Sequence, residues 1–198
     1  MKSLRLEALG DGIFAIAMTI MVLELKFPEV EMDTWHHFIM AVASVKYHFL
    51  CYIISFIVLG IMWFGHRVMF EFIGRSNRYF IFLGVLFYMF ICLVPFSTQL
   101  LAEHPLRWFA ILIYALNLSM CNITLFIQWH YGMKRKLLME REVTAEMKEI
   151  ADFLFLISPV VYAVAIVFSF FSPLVSLFIF VITPLIYILP NRIDKFLP

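Results

Sequence analysis

Long apolar runs separated by short polar segments dominate the chain. Six of these runs approach the roughly 20 residues that a helix needs to cross the hydrocarbon of a bilayer. Because lipid offers the backbone no hydrogen-bond partners, each run is expected to be an α-helix. The pattern therefore predicts an all-α integral membrane protein with six transmembrane helices in one domain, 1–198, the helices covering residues 6–25, 45–64, 79–96, 108–129, 153–171 and 174–189.

Two polar segments between these runs also have helical character. Residues 29–43, "EVEMDTWHHFIMAVA", are too charged at their start to cross a membrane, and they predict a short interfacial helix. Residues 134–149 mix both charges with helix-forming residues, which is typical of a solvated helix. Ser172 and Pro173 separate the last two runs so closely that these runs are expected to form a helical hairpin.

Composition and charge give the chain its environment and orientation. Of the 198 residues, 64% are apolar and only 15% are charged, against about 25% charged in soluble domains. Lysine and arginine concentrate in the cytoplasmic loops of membrane proteins. One side of the six-helix arrangement holds both termini and twelve basic residues, whereas the other side holds three, so both termini are expected in the cytoplasm. The twelve are Lys2, Arg5, Arg67, Arg75, Arg78, Lys134, Arg135, Lys136, Arg141, Lys148, Arg192 and Lys195, and the three are Lys26, Lys46 and Arg107.

The first apolar run carries a narrow stripe of branched side chains. At 100° per residue, Ile16, Ile20 and Leu23 fall within about 40° of one line, with Thr19 about 60° to one side. Ordinary packing against lipid or protein explains such a stripe. A ring of these residues around an axis is the other explanation, since apolar rings can exclude water and gate a channel.

A strip of small residues, Ala8, Gly12 and Ala15, lies beside the branched stripe. Small side chains allow the backbones of membrane helices to approach closely. The strip therefore favours close packing of several first helices, which is the arrangement that the second explanation requires.

The same run, "RLEALGDGIFAIAMTIMVLEL" (5–25), contains charged side chains near its start. An unpaired Asp11 within the membrane would cost about 3 kcal/mol, and Arg5 lies about 120° away around the helix, which excludes a simple salt bridge along one face. The end of the second run, "MWFGHR" (62–67), returns to the same side with Trp63 and His66 one turn apart. We expect a polar network of Arg5, Asp11, Trp63 and His66, with a structural role favoured over one in proton transfer.

These residues resemble the motif of the lysosomal-type potassium channel family, the transmembrane protein 175 family, in which Arg-x-x-x-Phe-Ser-Asp opens the first helix. The matching positions are Arg5, Leu9, Gly10 and Asp11, so leucine replaces the phenylalanine and glycine replaces the serine with the loss of a hydroxyl. The resemblance continues through "GIFAIAMTIMVLEL", "IMWFGHR" and "LVPFST" and covers essentially the whole chain.

The resemblance implies a potassium-permeable cation channel in a prokaryotic plasma membrane, in which four chains surround a central pore. It implies that the first helix lines this pore, with Ile16, Ile20 and Leu23 as the constriction and hydrophobic gate and Thr19 as a hydroxyl layer. K⁺, with other monovalent cations, is the expected permeant ion, and no cofactor, metal site or catalytic residue is expected. The expected partners are the bilayer, copies of the chain and these cations.

Other functional classes have less support. The alternative is a multi-pass secondary transporter of a cation or small solute, because Asn117, Ser119 and Asn122 place polar groups inside the fourth run. An enzyme is disfavoured because no nucleophile accompanies a base, and the adjacent His36 and His37 point about 100° apart, which makes a poor metal pair. Nothing in the charge pattern suggests a nucleic-acid partner.

Overall fold

Membrane-spanning helices account for most of the structure, a computed structural model that describes residues 3–26, 28, 34–135 and 143–188. The prediction of an all-α membrane protein is confirmed. Five helices, α1, α3, α4, α5 and α6, are long and apolar enough to cross a membrane, and a shorter apolar segment covers Pro173–Tyr187. In chain order the helices are α1 (Leu4–Leu23), α2 (Trp35–Ser44), α3 (Lys46–Phe72), α4 (Arg78–Glu103), α5 (Trp108–Lys134), α6 (Ala145–Ser169), α7 (Pro173–Ile182) and α8 (Leu185–Ile188).

Several helices continue past the apolar runs that predict them. The second run ends at position 64, but α3 continues to Phe72, and the third run ends at position 96, but α4 continues to Glu103. Hydropathy marks the part of a helix that lies in lipid, whereas the backbone hydrogen bonds of the helix continue into the polar interface. The apolar runs therefore underestimate helix length at the ends that carry polar residues.

The sixth predicted span is interrupted. Instead of one helix over 174–189, α7 ends at Ile182, and the short α8 follows from Leu185. Pro184 lies between them and has no backbone N–H to donate to the preceding turn. The hairpin before it is as expected, because α6 ends at Ser169 and α7 begins at Pro173, a favourable first helical position for proline.

The two polar segments differ in outcome. In the first, the hydroxyl of Thr34 accepts a hydrogen bond from His37 N–H at 3.3 Å and caps α2, while residues 29–33 lie outside the described residues. In the second, residues 136–142 lie outside the described residues, and Thr144 caps α6, so that residues 145–149 belong to a spanning helix. Helix-forming residues next to an apolar run extend that run's helix when a capping threonine precedes them.

The helices pack in a sequence in which α4 is central. It contacts α1 and α3 on one side and α5 on the other, and α5 in turn packs against α6. Gly84 permits this crossing, since a Cβ at Gly84 would lie 2.9 Å from Gln128 Nε2 of α5 and 3.0 Å from Leu6 Cδ2 of α1. The start of α1 is also fixed, because the hydroxyl of Ser3 donates to the carbonyl oxygen of Ile73 at 2.7 Å.

A side chain of α5 bonds to the backbone of α4 next to Pro95. Proline lacks an N–H and weakens the hydrogen-bond ladder before it. With the amide of Asn117 oriented to satisfy its neighbours, its nitrogen donates to the carbonyl oxygen of Phe90 and its oxygen accepts from Val94 N–H, both at 3.2 Å. These are the two groups that would otherwise pair with each other in a regular helix. Asn117 thus joins α4 to α5 at the level of Pro95.

A candidate pore-lining face

The branched stripe of α1 faces away from the rest of the chain. The exposed fractions are 58% for Ile16, 41% for Ile20 and 69% for Leu23. The opposite face of the same helix is buried against α3 and α4, with Phe14 and Met21 only 1% and 2% exposed. A single chain therefore presents the apolar stripe to whatever surrounds α1.

The small residues beside the stripe are also uncovered. Ala8, Gly12 and Ala15 are all exposed, and a Cβ placed on Gly12 would meet no atom within 4 Å. No packing within the described part of the chain requires glycine at this position. The strip is free to receive another helix closely, as small residues do in membranes.

Thr19 directs its proton into its own helix. Its hydroxyl donates to the carbonyl oxygen of Ala15 at 2.8 Å and lies 3.0 Å from that of Ile16. A hydroxyl has one proton and two acceptor lone pairs. With the proton engaged, the exposed oxygen of Thr19 presents acceptor electrons outward, which is the polarity that suits a cation.

Asp11 is joined to α3 by a hydrogen bond. The indole Nε1–H of Trp63 donates to Asp11 Oδ1 at 2.8 Å. The guanidinium of Arg67 lies over the Trp63 ring, 5.8 Å from its centroid, which places a positive charge on the electron-rich face of the indole. The contact is made at the exposed side of both helices, where it holds the start of α1 against α3.

His66 is brought to α1 through a residue that sequence analysis did not single out. Its imidazole is fully buried, and Nε2 lies 2.9 Å from the hydroxyl of Tyr88 on α4. That hydroxyl donates to the backbone carbonyl oxygen of Leu6 at 2.7 Å. The His66 ring is also stacked on Phe87, with ring centroids 5.6 Å apart. Tyr88 thus connects three helices at one oxygen atom.

The four residues of the expected polar network therefore do not form one connected set. Asp11 pairs with Trp63, His66 pairs with Tyr88, and Arg5 is exposed without a hydrogen bond or ion pair to any residue that the structure describes. Tyr88 lies inside an apolar run, and a buried tyrosine hydroxyl usually finds a hydrogen-bond partner. This position was the only sequence feature that could have indicated a polar contact at Tyr88. Its partner was not predictable, since the carbonyl oxygen of Leu6 belongs to the backbone.

Two of the three polar residues of α5 that favoured a transporter, Asn117 and Asn122, are occupied by internal contacts. Asn117 bonds to the backbone of α4, and the side-chain amide of Asn122 donates to Leu118 O at 3.0 Å. A cavity of about 370 Å³ lies between α3, α5 and α6, but apolar side chains such as Met62, Leu125 and Phe155 make up most of its lining. Polar side chains also line it, among them Asn122, Ser158 and Tyr187, and the hydroxyls of Ser158 and Tyr187 bond to each other.

Comparison with known proteins places this arrangement among channels. The family model described as endosomal/lysosomal potassium channel TMEM175 matches residues 5–95. A potassium channel of Streptomyces collinus is 37% identical over 105 residues, which make up 52% of this chain and 49% of that protein. A potassium channel of a Chryseobacterium species is 30% identical over 197 residues, covering 96% of this chain and 95% of that protein. The crystal structure of a lysosomal potassium-selective channel TMEM175 homolog from Chamaesiphon minutus matches with a TM-score of 0.79 and 29% identity, over 93% of this chain and 95% of that chain.

Proposed function

The chain belongs to the TMEM175 family, and from this premise we propose that it is the subunit of a potassium-permeable channel in a prokaryotic plasma membrane, with residues 1–198 as one transmembrane domain. Bacterial relatives that carry the name potassium channel support this assignment. The observation that carries the proposal is the exposed apolar stripe of α1, which lies within the residues matched by the family model. A family of ion channels gives no reason to assign a catalytic role.

Four copies of the chain surround the pore in this proposal, with α1 innermost. The exposed strip of Ala8, Gly12 and Ala15 supports the assembly, because it leaves room for a helix of a neighbouring subunit. Helices α3 and α4 already cover the opposite face of α1. The remaining exposed face is then available to line an axis.

The constriction consists of apolar rings contributed by Ile16, Ile20 and Leu23. A permeant cation gains little from apolar walls, so a narrow ring of four such side chains excludes ions by dewetting, and outward movement opens it. The outward oxygen of Thr19 lies between these rings. Four such oxygens supply the hard ligand that replaces part of the water around K⁺ and other monovalent cations.

The polar contacts at the start of α1 hold the pore helix in place. The bond between Trp63 and Asp11 connects this helix to α3, and the bond from Tyr88 to Leu6 O connects it to α4. Arg5 adds positive charge on the side where both termini are expected. Basic residues at helix ends on that side, including Arg78 and Lys134, support its assignment to the cytoplasm.

Native mass measurement and single-channel recording test the proposal together. We expect the purified protein to have the mass of four chains and to conduct many potassium ions per opening in a planar bilayer. Saturable, slow exchange without unitary currents would contradict the channel and favour the transporter. A monomer that conducts would contradict the central pore but leave potassium permeation intact.

A further inference from the structure

Position 10 has no room for a side chain. Gly10 lies on the buried side of α1, and a Cβ added there would be 2.6 Å from Cε1 of His66 and 2.7 Å from the hydroxyl oxygen of Tyr88. The imidazole has little freedom to retreat, because it is fully buried and packed against Phe14, Phe70 and Phe87. The imidazole of His66 and the hydroxyl of Tyr88 therefore both lie where a side chain of residue 10 would begin.

The hydroxyl of Tyr88 donates to a backbone group of α1 close to Gly10. The hydroxyl donates to the carbonyl oxygen of Leu6, which is the residue four positions before Gly10. A serine within a helix commonly donates to the carbonyl oxygen four residues earlier, and Thr19 makes this bond to Ala15 in the same helix. Tyr88 thus makes, from another helix, the hydrogen bond that a serine at position 10 would make within α1.

The direction of the second hydrogen bond follows from proton counting. Tyr88 has one hydroxyl proton, and Leu6 O accepts it, so His66 Nε2 must carry a proton and donate to the hydroxyl oxygen. Nδ1 of His66 is buried without a partner among the described residues. This favours the neutral imidazole, because a second N–H there would be buried and unpaired. The chain of bonds runs from His66 through Tyr88 to Leu6.

We propose that Tyr88 is a positioning residue for the pore helix, and that its hydroxyl, entering the space left by Gly10, replaces the serine hydroxyl that the family motif has at this position. The loss of a hydroxyl expected from the sequence is therefore compensated from α4. The substitution also converts a bond within α1 into a bond between helices. The role in the pore rests on the proposed function, whereas the coupling of positions 10 and 88 does not.

Double-substitution analysis tests this coupling. The variants are Gly10→Ser, Tyr88→Phe and their combination, with thermal unfolding in detergent and potassium flux into liposomes as measurements. Tyr88→Phe leaves Leu6 O with one fewer donor and His66 N–H unpaired, so we expect the unfolding midpoint to fall by about 2 to 10 °C. We expect potassium flux per folded protein to change by about threefold or more, the effect of one ordinary hydrogen bond on an equilibrium. Adding Gly10→Ser restores the donor to Leu6 O, so the combination is expected to be less impaired than the two single effects predict.

Matched controls separate the hydroxyl from the volume of the side chain. Gly10→Ala adds the same Cβ without a hydroxyl, so in the Tyr88→Phe background serine is expected to exceed alanine in both measurements. Tyr114→Phe removes another buried hydroxyl, one that lies 2.9 Å from the hydroxyl of Ser55. Its effect is expected to add to that of Gly10→Ser without coupling, as for separate sites. Tyr79→Phe, on the exposed surface of α4, is expected to behave as the unchanged chain.

Several results of these measurements would contradict part or all of the proposal. Strict additivity of Gly10→Ser and Tyr88→Phe, or equal performance of serine and alanine in the Tyr88→Phe background, would overturn the replacement of the serine hydroxyl. Failure of both position-10 variants to fold even with Tyr88→Phe would also overturn it, because the imidazole of His66, and not the tyrosine hydroxyl, would then be the group that excludes a side chain. A midpoint coupling without any flux change would leave Tyr88 structural and refute its positioning role. Absence of flux in the unchanged chain would contradict the channel and leave the midpoint test valid.

Discussion

Replacing Ile16 with asparagine probes the proposed constriction directly, because Ile16 begins the exposed stripe of α1 that Ile20 and Leu23 continue. The side chain of Ile16 is 58% exposed in the single chain, so the substitution removes little packing within the subunit. Asparagine has roughly similar bulk but adds hydrogen-bond donors and acceptors. In the proposed tetramer, the change is therefore expected to alter the wetting of the pore more than its width.

The expected magnitude follows from this exposure. Fully burying an isoleucine side chain contributes about 1.5 to 3 kcal/mol, and 58% of Ile16 remains available for contact with water or a neighbouring subunit. Four copies then oppose wetting of the ring by about 3 to 7 kcal/mol. Since about 1.4 kcal/mol corresponds to a tenfold change in an equilibrium constant, removing even part of this free energy is expected to raise potassium leak by about tenfold or more. Discrimination between potassium and sodium is expected to fall.

Planar bilayer recording of potassium and sodium currents provides the assay, after equal reconstitution is established. Met18→Asn is the matched control, because Met18 lies about 200° around the helix from Ile16. Met18 is partly buried and faces α3, with its Cε 4.0 Å from where a Cβ of Gly60 would lie. We expect this control to lower the yield of folded protein and to leave selectivity unchanged. Unchanged currents in Ile16→Asn with altered selectivity in Met18→Asn would refute the assignment of the pore-facing side.

Three further substitutions address the supports of the pore helix and its hydroxyl layer. Asp11→Ala removes the acceptor of the Trp63 indole N–H. It is expected to lower tetramer stability by about 1.5 to 3 kcal/mol per chain, measured by thermal unfolding. Intact assembly with changed ion selectivity would instead place Asp11 in the ion path. Gly84→Ala brings a Cβ to 2.9 Å from Gln128 and is expected to lower stability by about 1 to 3 kcal/mol, with Gly65→Ala, where a Cβ meets nothing within 4 Å, as its control. Thr19→Val keeps the shape but removes the outward oxygen, and we expect lower potassium conductance; equal conductance would exclude a hydroxyl layer.

The helices and the exposed stripe of α1 were accessible from sequence because both depend on periodicity. An α-helix repeats its direction every 3.6 residues, so the alignment of Ile16, Ile20 and Leu23 follows from their spacing. All three side chains are exposed in the single chain, so this face of α1 points away from the rest of the subunit. The spacing of a few residues within α1 is thus enough to predict which of its faces points away from the subunit.

The connections between helices were less accessible because they depend on tertiary contacts. The contact between Asp11 and Trp63 required only two helix ends on the same side of the membrane. The bond from Tyr88 to Leu6 required the crossing of α1 over α4, which Gly84 and Gly10 permit by having no side chains. Absent side chains leave no hydrophobic pattern, so spacing alone did not identify these close approaches. The break before α8 depends similarly on the local effect of Pro184.

The insertion of Asn117 beside Pro95 has a mechanical consequence. A proline kink ordinarily provides a helix with a soft joint, but here bending α4 at this joint would pull the amide of Asn117 away from Phe90 O and Val94 N–H. The joint is therefore stiffened by α5, and the two helices resist bending as a pair. Tyr88 also belongs to α4, so the hydroxyl that bonds to α1 is carried by a helix that α5 braces. In the proposed channel, outward movement of α1 would therefore take place relative to this braced helix.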